Sequence, residues 1–139
     1  MEKINFYLEY SHKWIDHPLT FTIHFDDRLI HVDQGHAYNT INKKIVLSEG
    51  DHLLKFTIDN KNEANTTVDQ NKKILNDSLI TIENFKFNDL DLTSLLIEKS
   101  VYNTISNGVL SQTNVLGLNG TLSFALKVPI YDWLLENYY

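Results

Sequence analysis

Leu19-Thr20-Phe21-Thr22-Ile23-His24-Phe25 alternates apolar and polar side chains without a break, and the same two-residue period returns along much of the chain. Successive side chains of a strand point to opposite faces, so this pattern predicts strands with one face in a core and the other in water. Ile4, Phe6, Leu8 and Tyr10 mark a first such strand, followed by a polar turn over residues 11–18 in which Pro18 stands at a strand entrance. Residues 19–25 are the second strand, Asp26-Asp27-Arg28 a tight hairpin turn, and Leu29-Ile30-His31-Val32 the returning strand, with Asp33-Gln34-Gly35-His36 as the next break. Ile45-Val46-Leu47 leads into a Ser48-Glu49-Gly50-Asp51 turn, beyond which His52, Leu54, Phe56 and Ile58 share one face.

Residues 59–71 are almost wholly polar and read as a long loop or an irregular crossing, since such a stretch has no face to bury. Ile80 and Ile82 keep one phase while Phe85 and Phe87 keep the other, so a bulge or corner at Glu83-Asn84 must reset the strand. Residues 90–97 fit a short helix or a strand, and residues 101–118, rich in Ser and Asn, read as loop with a short strand. Leu122, Phe124, Leu126 and Val128 form the last strand, ended by Pro129 and followed by an aromatic tail, residues 130–139. About seven to ten strands with little helix predict one all-β domain over residues 1–139, a two-sheet antiparallel β-sandwich of jelly-roll-like kind.

Composition sharpens this picture mainly by exclusion. With 139 residues and 42% hydrophobic side chains the chain is long enough for a core that needs no staples, and zero cysteines remove disulfides, thiolate zinc sites and cysteine nucleophiles. A net charge of -6 and a single arginine, Arg28, argue against nucleic-acid partners, whose binding depends on basic groups displacing counterions from phosphates. No stretch approaches the roughly 18 apolar residues of a membrane span, and Met1-Glu2-Lys3-Ile4-Asn5 lacks the layout of a signal peptide. The expectation is a soluble protein made in a cytoplasm, with no membrane partner.

Two His-x-Asp triplets, His24-Phe25-Asp26 and His31-Val32-Asp33, have the ligand spacing of jelly-roll iron sites, with His36 or His52 as a third ligand. Acidic turns make calcium the better metal: Asp26, Asp27, Asp69 and Asp77 offer hard oxygen ligands on loops that a sandwich can gather at one edge. The run that begins Asp69-Gln70-Asn71 is not an EF-hand loop, because Ile74 and Ile80 stand where glycine and glutamate are required. Neither a Gly-x-Ser-x-Gly elbow nor a glycine-rich phosphate loop occurs. Trp14, Tyr38 and Tyr102 are the aromatics suited to stacking on sugar rings. Tyr131, Trp133 and Leu134 belong to an apolar tail that must fold back on the sandwich or be covered by a partner, with Trp133 as the natural anchor.

Three blocks carry a family resemblance: residues 17–27, from His17-Pro18-Leu19 to His24-Phe25-Asp26-Asp27; Gly50-Asp51-His52-Leu53-Leu54-Lys55-Phe56 with Asp59-Asn60-Lys61; and Gly120-Thr121-Leu122 with residues 129–137. Together they make nearly the whole chain resemble small proteins encoded by tailed phages of marine bacteria. That resemblance implies a β-sandwich like those of carbohydrate-binding modules, which often carry calcium. The glycine-containing turn expected between Asp69 and Asp77 is replaced here by Asn71-Lys72-Lys73. The function it implies is a non-enzymatic interaction module, a virion structural or accessory protein made in the host cytoplasm and carried in the virion. Its partners would be other virion proteins or a second copy of itself as a homo-oligomer. The alternative is a calcium-assisted glycan-binding module for cell-surface carbohydrate, and a small accessory enzyme is a third.

Overall fold

Strands hold 57% of the residues and helices 13% in a computed structural model that describes residues 1–138; Tyr139, the last residue of the aromatic tail, lies outside the described residues. The alternating stretches become β1 (Glu2–Lys13), β2 (Thr20–Phe25), β3 (Arg28–Val32), β4 (Tyr38–Leu47) and β5 (Gly50–Asp59). A 3₁₀ turn (Glu63–Asn65) precedes a hairpin, β6 (Thr66–Val68) and β7 (Ile74–Asp77), so the polar crossing holds strands of its own. Next come β8 (Leu79–Phe87), β9 (Leu90–Asp91), α1 (Thr93–Lys99), β10 (Val101–Thr104), β11 (Val109–Ser111), β12 (Val115–Leu116), β13 (Gly120–Val128) and α2 (Ile130–Asn137).

One sheet runs β12-β8-β1-β4 with β9 added beside β8, the other runs β11-β10-β13-β5-β2-β3, and every pairing is antiparallel. Most consecutive strands change sheet, as in a jelly roll, so each sheet buries the inward phase of its strands against the other. Phe6 meets Phe25 edge-on at 5.7 Å between ring centres, Tyr10 meets Phe21 at 4.9 Å and Phe85 meets Phe124 at 5.9 Å, all three across the sheet interface. The phase change in β8 is a bulge at Glu83: Glu9 pairs with Asn84 but Tyr10 with Ile82, which lets Ile80, Ile82, Phe85 and Phe87 all face inward.

The aromatic tail is helical. Ile130 and Leu134, one helical turn apart, enter the core, and Trp133 lies half-buried against Phe124 and Tyr138. Tyr131 and Leu135 face outward. Leu134 is therefore a core residue and not a contact residue, a correction that follows from the three-to-four-residue spacing of the apolar positions. Among the described residues no helix is long and apolar enough to cross a membrane.

Candidate functional site

The densest buried polar cluster joins the two sheets. His12, in phase with Tyr10 on β1, donates from Nδ1 to Asp33 Oδ2 at 2.6 Å, with both side chains cut off from solvent. The same carboxylate accepts from Gly35 N–H at 2.9 Å and, at Oδ1, from the Tyr10 hydroxyl at 2.6 Å. The tautomers follow from the partners. His12 Nε2 accepts the Leu19 N–H at 3.2 Å, so the ring proton is on Nδ1; the Tyr10 oxygen, already donating to Asp33, accepts from His31 Nε2 at 2.9 Å. Burial raises the Asp33 carboxyl, but its hydrogen bonds from His12, Tyr10 and Gly35 more than offset this and hold it below the usual carboxylate value. Tyr10 is pushed upward by burial and by Asp33.

An aspartate-oriented histidine is half of an acid–base relay, yet the nitrogen that would take a proton, His12 Nε2, is filled by a backbone donor. Among the described residues no serine or threonine hydroxyl is hydrogen-bonded to this network. The cluster is a clasp between sheets, and the residue pairs it uses are not the His-x-Asp triplets. Asp33 bonds His12 and Tyr10, while Asp26 bonds His52.

Two further histidines act as charged staples. His52 donates from Nδ1 to Asp26 at 2.7 Å and from Nε2 to Ser48 C=O at 2.7 Å, and His17 donates to Asp16 and to Asn60 C=O, each at 2.8 Å. Both partners of each ring are acceptors, so both rings carry two protons. Burial lowers His52, but Asp26 and the Ser48 carbonyl outweigh it and the net shift is upward; His17 is raised chiefly by Asp16. His31 moves the other way, lowered by burial and by the Lys43 charge. Raised histidines contribute stability below the unfolded value of 6.5 and lose it as pH climbs through their folded values, whereas the lowered His31 loses stability as pH falls below 6.5. Thermal unfolding followed by circular dichroism is expected to peak near pH 6.5, with His52→Gln flattening the alkaline limb and His31→Gln the limb just below the peak. A melting temperature that rises steadily through neutral pH would contradict the doubly protonated staples.

The four aspartates read as calcium ligands are not brought together. Asp26 accepts from His52 and Leu53 N–H near the start of β5, whereas Asp77 bonds Lys61 at 2.7 Å, Thr66 and Ser78 N–H beyond its far end. Asp69 closes the β6–β7 turn by accepting from Asn71 and Lys73 N–H, and Asp27 lies in solvent beside Lys55. Among the described residues no three His, Asp or Glu side chains converge as a metal-binding group.

The aromatic candidates also part company. Tyr102 is 1% exposed, with its hydroxyl bonded to Leu118 C=O, so it has no ring face to offer a sugar; its alternation places it inward on β10. Trp14 is partly exposed and donates to Gly35 C=O, and Tyr38 stands 86% exposed at the start of β4.

One exposed apolar surface was not among the sequence candidates. The β6–β7 hairpin pairs with neither main sheet and exposes Val68, Ile74 and Leu75, the last at 62%. Its base is firmly bonded: Asn65, fully buried, donates to the carbonyls of Ile15 and His17, and Lys61 reaches Asp77 and the carbonyls of Ser78 and Gly117. Between this hairpin and the β10–β11 turn lies an open cleft of about 580 Å³ lined by Lys61, Thr66, Val68, Ser106, Leu118 and Asn119.

Comparison with protein-family models, with curated proteins and with solved structures finds no match to this chain.

Proposed function

We propose that this chain is a non-enzymatic interaction module of a tailed phage, a virion structural or accessory protein that docks another virion protein. The observation that carries the reading is the β6–β7 hairpin, an isolated two-stranded ribbon whose aliphatic side chains face water above a firmly bonded base. A lone hairpin is marginal in water, and exposed aliphatics beside a cleft mark an interaction surface. The sealed histidine clasp supports a module that holds and does not react. Mass spectrometry of gradient-purified particles is expected to find the chain, and Leu75→Asp to remove it from particles while the free protein keeps its melting temperature. Absence of the wild-type chain from particles, with abundant free protein in the lysate, would overturn the reading.

A second reading rests on the outer face of the β8-β1-β4 sheet. Lys86, Tyr7 and Asn42 stand in one row and Asn5 and Lys44 in the next, lining with Asp89 a groove of about 480 Å³. Amide and ammonium donors around an aromatic ring suit saccharide hydroxyls, and this site uses neither calcium nor the three aromatics expected from the sequence. Glycan-array binding abolished by Tyr7→Ala, by a protein absent from particles, would favour it over the virion role.

A further inference from the structure

The chain holds two Asn-Gly pairs, Asn107-Gly108 and Asn119-Gly120, and the fold gives them opposite surroundings. In such a pair the glycine nitrogen can reach the asparagine side-chain carbonyl, because no Cβ crowds the approach and the glycine backbone turns freely. Reaction then depends on two conditions: a side chain able to rotate onto that nitrogen, and a nitrogen with room to meet it.

Asn119 meets neither condition. Its Oδ1 accepts from Lys61 N–H and its Nδ2 donates to Lys61 C=O, both at 2.9 Å, so the amide is clamped at both ends to the backbone that follows β5. Gly120 is buried, and its Cα lies so close to β10 that an added Cβ would meet the Asn103 oxygen at 2.2 Å. Asn107 meets both. Residues 105–108, the turn between β10 and β11, are all exposed, and nothing lies within 4 Å of the position a Gly108 Cβ would take. Among the described residues the Gly108 N–H donates no hydrogen bond.

The turn around this pair is held in place. Thr104 N–H and Thr104 Oγ1 both donate to Gly108 C=O, at 2.9 and 2.6 Å, and Asn107 N–H donates to Thr104 Oγ1 at 3.0 Å. Ser106 Oγ donates to Asn107 Oδ1 at 2.9 Å. A hydroxyl on that oxygen draws electrons from Cγ and stabilises the negative charge that the oxygen takes up when Cγ is attacked.

We propose that Asn107-Gly108 is a self-modification site at which the chain converts its own asparagine to isoaspartate and aspartate, with Ser106 polarising the amide. The Gly108 nitrogen gives its proton to solvent base and attacks Asn107 Cγ. The N–Cγ bond forms, the Cγ–Nδ2 bond breaks, and Nδ2 takes up a proton and leaves as ammonia, closing a five-membered succinimide. Water then opens the ring: addition at Cγ gives aspartate, and addition at the main-chain carbonyl routes the backbone through Cγ as isoaspartate. Either product places a carboxylate within residues 100–126, which contain no Asp, Glu, Lys, Arg or His, on a turn whose Ser106 lines the cleft beside the β6–β7 hairpin. The chemistry is independent of what that cleft binds.

The folded full chain, held for weeks in mildly alkaline buffer at physiological temperature and followed by ion exchange and peptide mass spectrometry, tests this. An acidic species is expected to accumulate, its gain of about 1 Da confined to the peptide that carries Asn107, which splits into aspartate and isoaspartate forms. Asn107 is expected to react at least about tenfold faster than Asn119, whose two hydrogen bonds must open first. In denaturing urea the two rates are expected to converge, since both sites then present the same Asn-Gly pair. Ser106→Ala is expected to slow Asn107 about threefold and leave Asn119 unchanged, water replacing part of the lost donor at this exposed site. Equal rates at the two sites in the folded chain, a difference that persists undiminished in urea, or an unchanged Asn107 rate in Ser106→Ala would overturn the proposal.

Discussion

Asp33→Ala is expected to cost about 3–5 kcal/mol, since each buried donor left without its acceptor costs about 1–3 kcal/mol, and to lower the melting temperature by roughly 10–20 °C. Three donors lose their acceptor at once: His12 Nδ1–H, the Tyr10 hydroxyl and Gly35 N–H, the first two inside the sandwich. The His12 and Tyr10 side chains are cut off from solvent, so each of their orphaned donors bears its own desolvation penalty, while Gly35 N–H is only half-buried. Tyr10→Phe, which keeps the ring against Phe21 and removes only the hydroxyl, is expected to cost about 1–2 kcal/mol. Urea unfolding of the three proteins measures this. A loss below about 1 kcal/mol for Asp33→Ala would mean that the clasp opens to solvent and does not join the sheets.

Gly120→Ala is expected to be as damaging for a different reason. A Cβ at this position would stand 2.2 Å from the backbone oxygen of Asn103 and 2.8 Å from Thr104 Cα, and neither is a side chain that can swing aside. Thr104 pairs with Gly120 at the end of the β10–β13 ladder, so β10 must move or detach there. Overpacking against backbone costs about 3 kcal/mol or more when it cannot relax. Hydrogen exchange is expected to show lost protection in β10 and β11 with β5 and β2 still protected. Uniform destabilisation across both sheets would show that β10 is not a separable unit.

Much of the architecture could be read from the period-two pattern, because a strand with one buried face cannot hide its alternation. The strands over Ile4, Phe6, Leu8 and Tyr10, over residues 19–25 and over Leu122 to Val128 appear where that pattern puts them, and the bulge at Glu83 was forced by the phase conflict between Ile82 and Phe85. The same pattern also held a signal that composition concealed. His12 continues the even-numbered buried series of β1, although a polar turn was expected from Ser11 onward, so its phase marked it as inward before any partner was known.

What the alternation does not encode is partnership across the fold. Asp33 lies beside His31 in sequence, yet its hydrogen bonds reach back to Tyr10 and His12, because a jelly roll carries the chain from one sheet to the other between those residues. Asp26, Asp69 and Asp77 look alike as acidic turn residues, and only their placement, around opposite ends of β5 and in separate local bonds, divides them. Tyr102 and Leu134 were apolar enough to be either contact or core. Packing against β13 and the facing sheet decided for core, since burying such side chains stabilises the fold wherever the geometry provides a wall.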